Sequence, residues 1–405
     1  MVKNQSAGES NRVHLNFLDG MRGLAALYVM LYHCYQFYHE IALHYRSDVI
    51  QKGLSYLLFL CPYGYFAVTV FLVLSGYSLM IPVARNPQGN MAVGNYFLRR
   101  AWRILPPYYA ALILWTLFLA PIFHPGMVLA STARWARLCP QVDRWALLSH
   151  LFLIHNFSPH WSHQIDAPMW SVATEWQIYF FLPFFILPLW HRFGIPKTVL
   201  AAMALGFLPC LLLHKDIPEG FWMLGVFALG VAGAIVNWSP TDRWALRCRT
   251  WRWPTIVGAL GVVMGVLFAF WPPTQSGILV FHAPLRLPDI LVAVFATSFI
   301  VSCVQAPQAM RWPLRFLQSA PVRLLGDFSY SLYLVHYPIL NELAHALRVH
   351  HVTPVFSCLA LFGVGAPVAL LAAYLFYLVV ERPTLLYRRR LATSVQNRTS
   401  TSSAT

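Results

Sequence analysis

The sequence predicts an all-α fold: a polytopic membrane helix bundle of about ten transmembrane helices, with N- and C-termini cytoplasmic. Three observations carry this expectation. The 405 residues are 58% hydrophobic and only 11% charged, with mean hydropathy +0.55, whereas a soluble domain holds about 45–50% apolar and about 25% charged residues. Apolar runs of membrane length recur from one end to the other. Lys and Arg gather on alternate sides of those runs.

Using the roughly 20 residues that cross a core about 30 Å thick, spans are expected at 17–38, 56–81, 102–121, 168–190, 198–213, 221–237, 254–271, 288–304, 323–346 and 355–380. The apolar segment 145–157, "WALLSHLFLIHNF", is too short to cross and reads as a re-entrant or interfacial piece. With the N-terminus inside, inner loops and inner span ends collect about 21 Lys and Arg against about 8 outside, the asymmetry of the positive-inside rule. Making 145–157 a full span would flip every later loop and spoil that count. The net charge of +15 is therefore topological, and nucleic acid is not an expected partner.

Residues 1–16 form a polar cytoplasmic N-terminus, 17–387 the membrane domain, and 388–405 a basic, then Ser/Thr-rich tail expected to be disordered. The first span lacks a small-residue cleavage site and is expected to be retained. Seven cysteines are scattered without CxxC spacing, so no metal or disulfide framework is expected and buried thiols are the default.

Against this apolar background the ionisable groups within spans stand out. Arg22 and His33 are eleven residues apart, close to three helical turns, so both project from one face about 16 Å apart along the axis. Asp19 precedes Arg22 by three residues and can pair with it. Charges facing lipid cost about 2.5–3.5 kcal/mol each on insertion scales, so this face should look into protein or a wet cavity. A buried structural pair plus an interfacial histidine is the plainer alternative.

Further along, Ser75-Gly76 interrupts "FLVLSGYSLM", and small residues there serve close helix packing or a cavity wall. "FLRRAWRILPPYY" places Arg99, Arg100 and Arg103 at an inner mouth, where Arg99 and Arg103 at i,i+4 make a fork suited to phosphate or a plain positive-inside anchor. Glu175 lies more than a turn into the fourth span, five residues after Trp170, which alone would be an aromatic-belt residue. "LLGDFSYSLYLVHYPIL" carries Asp327, Tyr330, Tyr333 and His336; a lone His336 beside tyrosines fits a packed core position as well as a site. His155, His160 and His163, in an expected outer loop, would line an acceptor site. Metal binding is not expected, because no acidic or Cys partner has ligand spacing.

Taken together, these segments resemble the acyltransferase-3 family of bacterial membrane O-acyltransferases over nearly the whole chain. The resemblance is carried by "LDGMRGLAALYVMLYH" with Arg22 and His33, by "FLVLSGY", and by "RAWRILPPY". It continues in "WSVATEWQIYFFLP" with Trp170, Ser171, Glu175, Tyr179 and Pro183 in register, then "SYSLYLVHYP" and Glu381-Arg382-Pro383. One departure is Thr69, where many members carry an acidic residue.

The resemblance implies transfer of an acyl group, commonly acetyl, from cytosolic acyl-CoA to a hydroxyl of an extracytoplasmic glycan or glycolipid, such as exopolysaccharide or peptidoglycan. It implies a multi-pass protein of the bacterial cytoplasmic (inner) membrane, surrounded by membrane lipids and using no metal. His33, Arg22, Glu175 and Asp19 would form the catalytic set. His33 would act as general base or as transient acyl carrier, and Glu175 would orient it or bind the acceptor. Arg99, Arg100, Arg103 and Ser75 would hold the acetyl-CoA or other acyl-CoA donor. Trp170, Ser171, Tyr333 and His336 would contact substrate. The rival from the residues alone is a transporter whose Asp19, Arg22, His33 and Glu175 form a proton relay.

Overall fold

The structure is a computed structural model that describes residues 15–45, 53–54, 56–87, 89, 91–119, 144–213, 219–270 and 286–387. The described residues fold as helices and connecting turns, with no strand among them. Long helices occupy the expected positions: α1 (Asn16–Ala42), α2 (Phe66–Arg85) and α3 (Val93–Ile113). After the short α4 (Arg144–Leu151) come α5 (Met169–Phe193), α6 (Ile195–Leu213) and α7 (Met223–Trp238). The chain then forms α8 (Trp253–Phe270), α9 (Leu287–Gln305), α10 (Ser329–Val349) and α11 (Pro354–Tyr387).

Five helical stretches among the described residues are long and apolar enough to cross a membrane: Cys61–Arg85, α5, α8, α9 and α11. α1, with Asp19, Arg22 and Glu40, and α3, with Arg99, Arg100 and Arg103, fall outside that set because polar residues interrupt their hydropathy. The α4 helix has 8 residues, about 12 Å at 1.5 Å per residue, well short of a crossing.

The expected ninth span, 323–346, is corrected. A separate helix, Ala320–Asp327, ends there and α10 begins at Ser329, so Asp327 precedes the long helix. Gly326 explains the break. A Cβ on it would sit 2.3 Å from the Asp19 carbonyl oxygen, so the short helix lies backbone-to-backbone on the first turn of α1. The Ser329 hydroxyl then donates to the Gly326 carbonyl at 2.9 Å, capping the end that Gly326 weakens. The third span also starts earlier than expected, at Val93.

Packing sets the frame of the site. α2 and α7 touch through backbone: a Cβ on Gly76 would lie 2.2 Å from Phe227 O, and one on Gly230 2.1 Å from Val73 O. Gly76 thus serves helix contact, as "small-xxx-small" interfaces do in membranes. α1 and α10 lie side by side and parallel, since His33 meets His336, Glu40 meets Arg348, and Tyr45 meets His351 in ascending order. α8 packs mainly on α9 and leaves most of its surface exposed.

Candidate active site

Five helices converge on one cavity of about 80 Å³. Its polar lining comes from Arg22 of α1, Ser75 and Ser78 of α2, Arg100 and Arg103 of α3, Ser171, Glu175 and Tyr179 of α5, and Ser329, Tyr330 and Tyr333 of α10. The spacing explains the convergence. Residues 171, 175 and 179 recur every four positions and share one face of α5.

Inside, the groups hold each other. The Arg22 guanidinium donates to Asp19 Oδ1 at 2.6 Å and to Ser78 Oγ at 2.5 Å. Tyr179 donates its hydroxyl to Glu175 Oε1 at 2.5 Å and lies 3.0 Å from Ser75 Oγ. Ser171 Oγ is 2.6 Å from the Tyr333 hydroxyl. Three guanidiniums against Glu175 and the Asp19 that pairs with Arg22 leave the cavity net positive, a setting for phosphate or a developing oxyanion.

Several expectations shift. Arg100 and Arg103, at i,i+3, line the cavity together, while exposed Arg99 lines a neighbouring pocket that it shares with Arg100. The α3 periodicity puts 100 and 103, not 99 and 103, on the inward face. Trp170 does not line the cavity. It is buried against Gly220, whose φ of +77° and lack of a Cβ let the indole ring close over the turn. Asp19 pairs with Arg22 but borders a different surface pocket beside Arg323 and Asp327.

His33 sits beyond the cavity, along α1 towards its C-terminal end. Its ring is 5.2 Å from that of His336 and 4.9 Å, edge-on, from Tyr337, and it is not among the cavity-lining groups. His336 is fully buried, bonds the Leu332 carbonyl through Nδ1 at 2.8 Å, and stands 6.0 Å from the Tyr333 ring. Tyr333 lines the Arg22 cavity, and His336 neighbours the rings of both Tyr333 and His33. The group that orients His33 is Gln36, with Oε1 at 2.7 Å from Nδ1; Glu175 bonds Tyr179 instead. Sequence reasoning missed Gln36 and Ser78. Gln36 follows His33 by three residues, the spacing of a same-face partner, and that spacing was its available signal.

The Thr69 departure has a structural answer. Thr69 donates its hydroxyl to Asp289 Oδ1 at 2.8 Å, with both residues buried, so a carboxylate from α9 stands against the position where an acid is missing.

The three loop histidines differ among themselves. His155 is buried and stacks on His150 at 3.8 Å between ring centroids. His160 is exposed and lies 3.3 Å from Gln164 Nε2. His163 pairs with Glu219 at 3.1 Å. Burial opposes charge on His163, but the Glu219 hydrogen bond and charge overcome it and raise its pKa above the usual histidine range. The same pair overcomes burial at Glu219 and lowers its pKa. Asp166, wholly buried, is raised well above the usual carboxylate range by desolvation.

The acyltransferase domain model of acyltransferase-3 matches residues 15–378. The chain belongs to the acyltransferase-3 family. Among similar acyltransferases, "Peptidoglycan O-acetyltransferase OatA" of Listeria monocytogenes is 23% identical over 84% of this chain and 51% of its own length. "O-acetyltransferase OatA" of Staphylococcus aureus is 24% identical over 81% of this chain and 51% of its own. "Acyltransferase MdmB" of Streptomyces mycarofaciens is 26% identical over 93% and 94%. The acyltransferase-3 chain studied spans about half the length of the OatA proteins it matches. No solved structure matches it.

Proposed function

We propose that this protein transfers an acetyl group from cytosolic acetyl-CoA to a hydroxyl of an extracytoplasmic carbohydrate or glycolipid. The ten-helix arrangement would span the inner membrane with both ends in the cytoplasm. The parallel course of α1 and α10, expected of first and ninth spans, supports that orientation, which would put Arg99, Arg100 and Arg103 at the inner mouth.

The observation that carries the proposal is the cavity that gathers Arg22, Arg100 and Arg103 along α1 from His33. The guanidiniums would hold the CoA phosphates or the thioester oxygen, each as a charge-assisted donor. The cavity of about 80 Å³ suits an acetyl group and not a nucleotide, so the nucleotide end would remain at the inner mouth.

At His33 the acceptor O–H would give its proton to Nε2 as its oxygen bonds to the thioester carbonyl carbon. The carbonyl π electrons would move onto oxygen and then return as the C–S bond breaks. The CoA sulfur would leave with that electron pair and take the proton back from His33. A positioned base of this kind contributes about 10²–10⁴-fold.

The test is acetyl transfer by purified protein in liposomes loaded with radiolabelled acetyl-CoA, alongside mass spectrometry of envelope glycans from cells with and without the gene. Ester-linked acetate that depends on the protein is the expected result. Movement of cargo without acetylation would reassign the polar groups to transport.

A further inference from the structure

A second, larger cavity lies apart from the Arg22 site. It measures about 670 Å³ and is walled by α1, α2, α8 and α9, and it shares no lining residue with the Arg22 cavity. From α1 it takes Met21, Leu24, Ala25 and Tyr28, an i, i+3, i+4, i+7 stripe that excludes Arg22 and His33. Its side chains are apolar apart from two tyrosine hydroxyls, and both of these are engaged. Tyr28 donates to the Leu60 carbonyl at 2.7 Å, and Tyr63 donates to the Phe268 carbonyl at 2.8 Å. Tyr63 and Phe66 also stack on Phe268, at 4.8 and 5.5 Å between ring centroids, which pins the C-terminal end of α8.

Such a wall gives water no partners, yet its volume is that of a ligand pocket, about 300–1,000 Å³. The groove is also open. Gly265 on its α8 side is exposed, and a Cβ there would meet nothing within 4 Å. Because α8 is long and apolar enough to cross a membrane, the medium that reaches the groove is hydrocarbon.

The other end carries charge. Pro313, Phe316 and Leu317 of the short helix Arg311–Leu317 line the groove there, beside the start of α1, where a Cβ on Gly20 would sit 2.1 Å from Leu317 O. The remaining side chains of that helix include exposed Arg311, Trp312 and Arg315. Both guanidiniums lie over the Trp312 ring, at 5.4 and 5.5 Å from its centre. Tryptophan marks a membrane–water interface, and clustered arginine at that level attracts anionic headgroups.

We propose that this groove binds one anionic phospholipid, with an acyl chain between α1, α2, α8 and α9 and the phosphate at Arg311 and Arg315. Charge complementarity decides the occupant. The apolar wall accepts a hydrocarbon tail, and two guanidiniums at its end favour a lipid of net negative charge over a zwitterionic one. The bound chain fills the space that separates α8, which packs mainly on α9, from α1 and α2. The site does not depend on the acetyl-transfer reading.

The experiment is native mass spectrometry of the full-length protein in detergent, titrated with phosphatidylglycerol or with phosphatidylcholine of the same acyl chains. Wild type is compared with Arg311→Gln/Arg315→Gln, with Gly265→Phe, which fills the groove, and with Gly258→Phe, which enters open space outside it. Each arginine near the headgroup is worth roughly a factor of 5, so phosphatidylglycerol should bind wild type about 20-fold more tightly than phosphatidylcholine. The double arginine variant should lose that preference. Gly265→Phe should weaken both lipids about 10-fold by overpacking the groove, whereas Gly258→Phe should bind as wild type does. Equal binding of the two lipids by wild type overturns the proposal, as does a preference that survives loss of both arginines. Binding untouched by Gly265→Phe also overturns it, since the chain then lies elsewhere.

Discussion

Gln36 Oε1 stands 2.7 Å from His33 Nδ1, and the other end of the same amide, Nε2, donates to the Tyr32 hydroxyl at 2.8 Å. In this amide orientation the oxygen faces His33 and accepts from Nδ1–H. That tautomer leaves the Nε2 lone pair free to accept a proton. Gln36→Leu should therefore lower kcat about 10-fold or more while the KM for acetyl-CoA stays put. Gln36→Glu, which keeps an acceptor at that point, should recover most of the rate. Steady-state kinetics on the two variants checks this.

His33→Ala should leave expression and membrane insertion intact but reduce transfer by about 10²–10⁴-fold. A radiolabel assay on matched amounts of membrane protein measures it, and near-normal acetylation would remove His33 from the chemistry.

The three α3 arginines should separate. Arg100→Ala and Arg103→Ala, on the cavity wall, should raise the KM for acetyl-CoA about 10-fold each, since a charge-assisted hydrogen bond is worth about 1.5–3 kcal/mol. Arg99→Ala, exposed and directed to another pocket, should change it less than either. Equal effects at all three would mean that diffuse positive charge matters rather than the cavity.

Gly230→Ala places a methyl group 2.1 Å from the Val73 carbonyl oxygen, which is backbone and cannot swing aside. Overpacking of this sort costs about 1–3 kcal/mol or more, so the detergent-solubilised variant should melt several degrees lower. Gly258→Ala, with open space around it, is the control that should not.

The His163–Glu219 pair brings a pH window. Glu219, lowered from an ordinary 4.5, contributes stability above that value and loses it as pH falls through its lowered pKa. His163, raised from an ordinary 6.5, contributes below that value and loses it as pH rises through its raised pKa. The groups acting on the pair are Arg286 and Ser162 at Glu219, and the Ala167 backbone at His163. The stability difference between wild type and Glu219→Gln should thus be largest between pH 4.5 and 6.5 and shrink on either side. Thermal melts across that range read it directly.

Much of the bundle was legible because spanning helices advertise themselves by composition: α2, α5, α8, α9 and α11 all fall where hydropathy alone puts them. The break at Phe328 was not, because it depends on how closely Gly326 approaches Asp19, a contact between distant segments. Recurrence on one helical face was legible: Ser171 and Glu175 line the cavity together, whereas of Arg22 and His33 only Arg22 does. Rotation about the axis was not legible. Arg99 and Arg103 satisfied an i,i+4 rule, yet α3 presents Arg100 and Arg103 inward. Trp170 stood beside Ser171 in sequence but fills the space above Gly220. Of the outer loop expected between the third and fourth spans, 122–167, residues 122–143 lie outside the described residues.

Arg22 and His33 are carried by one uninterrupted helix, Asn16–Ala42, so the gap between them is fixed by helical rise and not by loop motion. On the proposed mechanism, a donor held at Arg22 would meet a gauge of about three turns, and its arm would have to match that length for the thioester to arrive. Shortening or lengthening α1 by a single residue between the two would swing one of them about 100° away from the other, a far harsher change than any trimming of either side chain.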